Sequence, residues 1–242
     1  MDGREPALYA GRMSALPFKA LILPVTPYRQ NCSLVWCTKT MGAAIIDPGG
    51  DVERLTAAIA AQGVTLEKVF LTHGHLDHAS GATKLAREFA VPIEGPHRDD
   101  LFLLEKLGRN AVQPGFSDAQ DCLPDRWLDG GETVRFGAVE FGVRHCPGHT
   151  PGHIVFFHPG ARIAFVGDVI FKGSVGRSDL PRGSHAQLVT SITTQLWPLG
   201  DDVRFVPGHG AVSTLGWERK TNPHVCDLAL GRASPLDSFP KK

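Results

Sequence analysis

The chain has 242 residues with 25 Lys and Arg against 25 Asp and Glu, so its formal net charge is zero. That balance gives no general pull toward nucleic acid or an anionic membrane surface and leaves a small molecule or another protein as the partner. Hydrophobic residues at 42% and charged residues at 21% are ordinary for a globular protein and exclude disorder as a main theme.

Residues 1–18 lack periodicity and read as a loose extension, with one domain over 19–242. Asp2, Glu5 and the lack of a sustained apolar core make that extension a poor secretory signal. Apolar runs at Lys19–Val25, Ser33–Thr38 and Ala43–Ile46 predict strands, the last ending at the turn Asp47-Pro48-Gly49-Gly50. Asp51–Ala61 then carries apolar residues at helical spacing, with Asp51 as the expected N-cap. Lys68–Leu71 predicts a buried strand that runs into the loop THGHLDH, residues 72–78. A helix over Ala79–Phe89, a strand over Val91–Glu94 and a helix over Arg98–Leu107 follow, and Asn110–Asp125 is a connection.

The second half repeats the grammar. Glu132–Phe136 and Val139–His145 predict a hairpin around Gly137, and His153–Phe157 and Arg162–Val166 predict further strands. A helix over His185–Leu196 precedes a last strand over Asp202–Val206. Mixed strands with interspersed helices favour two packed sheets covered by helices over a doubly wound parallel sheet. The five cysteines are scattered and form no C-x-x-C pair, which suits a reducing cytoplasm better than a disulfide framework. No run reaches the ~20 apolar residues of a membrane span.

The chemistry concentrates in the histidines. His73-x-His75-x-Asp77-His78 places three imidazoles and a carboxylate within six residues, directly after a buried strand. His149 in PGHT, Asp168 in VGD and His209 in PGHG each sit where an apolar run gives way to a glycine-marked turn. Active sites favour such loops on a rigid scaffold, and imidazole with carboxylate suits Zn, Fe or Mn. His145 and His153 read as structural, and Cys146 as a strand-end core residue rather than a nucleophile.

THGHLDH followed by PGHT, GD and PGHG resembles the metallo-β-lactamase superfamily. Within it, the chain is similar to short type II glyoxalases of the hydroxyacylglutathione hydrolase kind. QNCSLVWC at 30–37, DVIFKGSVGRSDLPRG at 168–183 and GHGAVSTLGWERKTNP at 208–223 carry that narrower likeness. The resemblance spans residues 20–224 and implies a four-layer αββα sandwich, α/β (α+β) in class, with a dinuclear centre. Carried over, His73, His75 and His149 hold one divalent metal, Asp77, His78 and His209 hold the second, and Asp168 bridges them. The metals are zinc first, with iron or manganese as alternatives. The implied reaction is attack of a metal-bridging hydroxide on S-D-lactoylglutathione or a related acylglutathione, yielding a hydroxy acid and a thiol. Asp77 also orients the attacking group or relays a proton, and Arg177 occupies the place where related glyoxalases carry a basic residue facing glutathione.

Other readings stand beside this one. A mononuclear iron persulfide dioxygenase of the same fold would use His73, His149 and Asp168 alone. A non-catalytic metal-binding or nucleic-acid-binding module is disfavoured by the zero net charge and the complete ligand set. Two-domain glyoxalases carry a further helical region that grips glutathione, whereas here 33 residues follow His209 and end in ASPLDSFPKK. That keeps lactones and other thioesters open as substrates. The sequence leaves the oligomeric state open.

Overall fold

The computed structural model describes residues 16–231. Most of the expected extension and the ASPLDSFPKK segment therefore lie outside the described residues. Strands β1 (Phe18–Val25), β2 (Gln30–Cys37), β3 (Gly42–Ile46), β4 (Thr65–Phe70) and β5 (Ile93–Glu94) form one sheet in chain order. Strands β6 (Thr133–Phe136), β7 (Val139–His145), β8 (Ile154–His158), β9 (Ile163–Gly167), β12 (Arg204–Pro207) and β13 (Ser213–Thr214) form the second, with order β13-β12-β9-β8-β7-β6. A small hairpin, β10 (Ile170–Phe171) with β11 (Ser174–Val175), stands apart from both.

Alternation along the strands explains the layering. Side chains on successive residues point to opposite faces, and both faces here are apolar. In β3 and β4, Ala44, Ile46 and Phe70 join Phe136, Phe141 and Phe156 of the other sheet in a core between the sheets. Ala43, Ile45 and Val69 face the other way and pack with Val52, Leu55 and Ile59 of helix α1 (Val52–Gln62) and with Leu85 of α3 (Ala82–Phe89). On the second sheet, Val155 and Phe205 pack outward against Leu188 of α5 (His185–Ser191) and Leu215 of α6 (Leu215–Thr221). Three apolar cores separate four layers, the αββα sandwich expected.

Strand direction then sets where the chemistry goes. β3, β4 and β5 run parallel to one another, and β9 runs parallel to β12. β7 and β9 are both antiparallel to β8, so β7, β9 and β12 share one direction. Loops after the carboxyl ends of parallel strands gather at one sheet edge, the usual place for a site in such folds.

Several elements differ from their sequence reading. Asp51 does not cap α1 with its side chain; its backbone is left-handed (φ 52°) and its carboxylate accepts the Thr26 N–H at 3.0 Å. Asp118 instead accepts the first helical N–H, that of Val52, at 3.2 Å. The helix expected over 79–89 breaks at Ser80-Gly81, where the Gly81 N–H turns to the Pro48 carbonyl at 2.9 Å. Its first part, α2 (Leu76–Ala79), reaches back into the supposed loop and carries Asp77 and His78. The helix expected over 98–107 is reduced to α4 (Leu101–Leu104) flanked by 3-10 turns. The helix expected over 185–196 is α-helical only to Ser191 and continues as a wide π turn over Ile192–Leu196. The β10–β11 hairpin, β13 and α6 were not expected. No helix among the described residues is long and apolar enough to cross a membrane.

Candidate metal centre

Every candidate ligand follows a strand end or opens the short helix beyond one. His73 and His75 follow β4, and Asp77 and His78 lie on α2. His149 follows β7, Asp168 follows β9 and His209 follows β12. Ligand atoms of His73, His75 and His149 lie within 4.8 Å of one another, as do those of Asp77, His78 and His209. Asp168 stands between the groups. Its Oδ1 is 3.3 Å from His78 Nε2, and its Oδ2 is 3.6 Å from His149 Nε2 and 3.7 Å from His209 Nε2.

Four of the five imidazoles are oriented the same way, by bonds on their outward nitrogen. His78 Nδ1 meets the Asp47 carboxylate at 3.0 Å, His149 Nδ1 the Arg177 carbonyl at 2.7 Å, and His209 Nδ1 the Tyr28 carbonyl at 3.2 Å. His73 Nδ1 lies 3.0 Å from the Thr72 hydroxyl, whose own proton goes to Asp47 Oδ2 at 2.6 Å. Each partner is an acceptor, so each Nδ1 carries a hydrogen and each Nε2 is the inward-facing atom that a neutral ring offers to a metal. Such outer partners fix the tautomer of metal-ligating histidines. His75 differs: its Nδ1 faces His149 Nε2 at 2.8 Å.

Among the described residues, the inward atoms lack partners. His73 Nε2, His78 Nε2 and Asp168 Oδ1 are buried without a hydrogen bond. Buried polar atoms are rarely left so, because each unsatisfied one costs roughly 1–3 kcal/mol. Three on one centre, on nitrogen and oxygen donors, fit a bound divalent cation.

Electrostatics divide the centre. Burial, reinforced by the neighbouring imidazoles, pushes His73 and His153 far below the ordinary histidine value and His75 down to about 3. Burial also lowers His149, so the three-imidazole group is neutral at physiological pH, the form that binds metal. The other group is shifted the opposite way. Burial opposes protonation of His78 and His209, but the Asp77 and Asp168 carboxylates outweigh it and raise both. Burial likewise opposes ionisation of the two carboxyls, which the imidazoles still hold below the usual range.

The remaining sequence candidates take other places. His153 is fully buried, stacks on His73 with ring centroids 4.6 Å apart, and accepts the Asp168 N–H at 3.0 Å. His145 stacks on His97 and meets the Pro151 carbonyl. Cys146 lies in the outer core with its thiol pushed up to about 12 by burial, so it is no nucleophile. Arg177 meets the centre through its carbonyl, while its exposed guanidinium makes two 2.9 Å contacts with Asp179.

Two carboxylates were missed. Asp47 holds the Thr72 N–H, the Thr72 hydroxyl and His78, and its signal was a strand-end acid before Pro-Gly-Gly. Asp100 is fully buried and accepts from the Gly74 N–H at 2.9 Å, the Thr150 hydroxyl at 2.8 Å and the Gly152 N–H at 2.6 Å. It ties the His73–His75 loop to the segment after His149. Burial pushes its carboxyl up to about 6 against those three bonds. No pattern in the sequence marks Asp100 apart from its neighbour Asp99.

With this geometry in view, comparison with known proteins is informative. The family model described as the metallo-beta-lactamase superfamily matches residues 25–209. The chain is 45% identical over 205 residues to the hydroxyacylglutathione hydrolase GloC of Haemophilus influenzae, covering 84% of this chain and 96% of that protein. Among solved structures it resembles TTHA1623 in a di-iron-bound form, at 37% identity and a TM-score of 0.74, covering 84% of this chain and 100% of that one. It also resembles the B3 metallo-beta-lactamase BLEG-1, at 31% identity and a TM-score of 0.75, covering 85% and 98%.

Proposed function

We propose a function from the premise that this chain belongs to the metallo-beta-lactamase superfamily and is a metal-dependent hydrolase: it cleaves S-D-lactoylglutathione or a related acylglutathione. The observation that carries the metal assignment is the convergence of unpartnered imidazole and carboxylate atoms at one sheet edge. The likeness to a hydroxyacylglutathione hydrolase over most of both chains supports the substrate. In this reading His73, His75 and His149 hold one divalent ion, Asp77, His78 and His209 a second, and Asp168 both. Zinc is the first choice, with iron or manganese as alternatives.

Bound there, the ions supply Lewis acidity toward a carbonyl oxygen and lower the pKa of water near neutral pH. The chain's own residues do the rest. Asp47, Thr72, Tyr28 and Arg177 hold His78, His73, His209 and His149 through Nδ1, so these four ligands need not reorient as the reaction proceeds. The Asp77 carboxylate, with Oδ2 3.0 Å from His209 Nε2, orients the attacking water and takes its proton. Water adds to the thioester carbonyl, the C–S bond breaks, and the products are a carboxylate and a thiol that leaves without needing a strong acid. Arg177 stands at the rim as a substrate contact, its guanidinium exchanging Asp179 for a substrate carboxylate. Five free, buried cysteines fit a cytoplasmic setting.

The mononuclear dioxygenase alternative needs only His73, His149 and Asp168. It leaves unexplained why His78 Nε2 is also aimed inward, buried and without a partner. The test is metal analysis of the purified protein beside two assays: thiol release from S-D-lactoylglutathione, and oxygen uptake with glutathione persulfide. Two metals per chain with thiol release are expected. Oxygen uptake with one iron and no thioester cleavage overturns the proposal.

A further inference from the structure

Between helix α4 and the loop after β11 lies a cavity of about 410 Å³ whose walls include Arg98, Asp99, Phe102, Glu105, Pro151 and Arg182. Its position follows from how the loop after β11 is tied down. At one end the Arg177 carbonyl meets His149 Nδ1 at 2.7 Å; at the other the Ser184 N–H donates to the Gly148 carbonyl at 2.7 Å. Both ends of the 177–184 loop are thus fastened to the segment that carries a candidate metal ligand. Between them Arg182 has a left-handed backbone (φ 64°), a conformation that costs a non-glycine residue about 1 kcal/mol or more. That turn lays its guanidinium over the Phe102 ring, 4.2 Å from the centroid. Phe102 lies on α4, whose neighbour Leu103 packs against Gly74 between His73 and His75. The cavity therefore opens between two segments that directly support the three-imidazole group.

Its charges are the informative feature. Two guanidiniums and two carboxylates line it, yet among the described residues Arg98, Arg182 and Glu105 form no ion pair. Asp99 meets only the imidazole of His97, at 3.4 Å. A cavity that holds both signs without internal pairing matches a ligand that also carries both. Its zero net charge disfavours a phosphate or a dicarboxylate, and the Phe102 face accepts the carbon between two charged groups.

We propose that this cavity is the subsite for a zwitterionic α-amino-acid end of the substrate, with Arg182 and Arg98 on its carboxylate and Glu105 and Asp99 on its ammonium. The γ-glutamyl end of an acylglutathione has that chemistry. The assignment thus rests on the thioester reading above and deepens it. Arg182 is the principal contact, because its guanidinium already sits over the Phe102 ring, 4.2 Å from the centroid, and a guanidinium offers a planar fork to a carboxylate.

The test compares two thioesters: S-D-lactoylglutathione, and S-D-lactoyl-N-acetylcysteinylglycine, which lacks the γ-glutamyl zwitterion. The wild-type enzyme is expected to prefer the first in kcat/KM, through KM. R182A is expected to lower that preference about tenfold. E105Q, on an exposed side chain outside the 177–184 loop, is expected to lower it severalfold, which keeps the test decisive should R182A fail to fold. If wild-type enzyme cleaves neither thioester, the thioesterase reading fails and the subsite with it. If it cleaves both without preference, or if R182A and E105Q keep the wild-type preference, the subsite alone is overturned.

Discussion

Asp100→Asn is the most telling single perturbation of the centre, because it touches no candidate ligand. In the native protein the two carboxylate oxygens accept three donors, the N–H groups of Gly74 and Gly152 and the Thr150 hydroxyl. An asparagine has one acceptor oxygen. With that oxygen on Gly74 and Thr150, its amide N–H groups point at the Gly152 N–H, and two buried donors face each other. Swinging the side chain aside is blocked: Gly152 is so close that a Cβ there would lie 2.7 Å from Asp100 Cγ. Two buried unsatisfied donors cost roughly 2–5 kcal/mol together. At about 2–4 °C per kcal/mol for a chain of this size, chelator-treated D100N should melt roughly 5–15 °C below wild type at pH 8. The same change lets the His73–His75 loop drift from His149, so zinc competition with a chromophoric chelator should show affinity weaker by about 10–100-fold. Melting within 2 °C and affinity within twofold of wild type would refute the claim that Asp100 holds the two loops in register.

Other outcomes follow from the same geometry. His209→Ala removes a candidate ligand and the Asp77 contact, so thiol release should fall by at least about 100-fold with metal content dropping toward one; full metal content and normal turnover count against the second group. Gly208→Ala would place a Cβ against the Asp168 carboxylate and 2.6 Å from His78 Cε1, and should abolish metal binding, as read by metal analysis of the purified variant. For the metal-free protein, His73, His75, His149 and His153 have depressed values, so their contribution to stability is full above about pH 6.5 and is lost as pH falls toward the folded values, about 3 for His75. His78 and His209, raised by the carboxylates, act in the opposite sense and lose their contribution as pH rises. With four depressed imidazoles against two raised, chelator-treated protein should lose stability between pH 7 and 5; denaturant midpoints that stay flat over that range would contradict the neutral-imidazole assignment.

The places where sequence reading fell short have a common cause. Helix α6 escaped because its buried set includes Glu218, which accepts the Gly173 N–H at 2.8 Å and bonds Ser213 and Asn222, so its inner face does not read as apolar. The helix expected over 98–107 fails in its first turn, where Asp100 turns inward to bonds from residues 26, 50 and 52 positions away. The cap expected from Asp51 is supplied by Asp118, 66 positions on. In each case a polar group is paid for by a partner distant in sequence.

What the sequence determined by itself is the layered architecture and the identity of the seven candidate ligands. Both are local properties: apolar runs bounded by turn residues mark buried strands, and imidazoles or carboxylates at glycine-marked strand ends announce themselves by residue type. What only the tertiary structure decided is how those groups stand to one another. The direction shared by β7, β9 and β12 brings three loops to one edge, and Asp47, Thr72, Tyr28 and Arg177 set which nitrogen His78, His73, His209 and His149 turn inward. Those relations depend on hydrogen bonds between segments brought together by packing, and no single stretch of chain contains both partners.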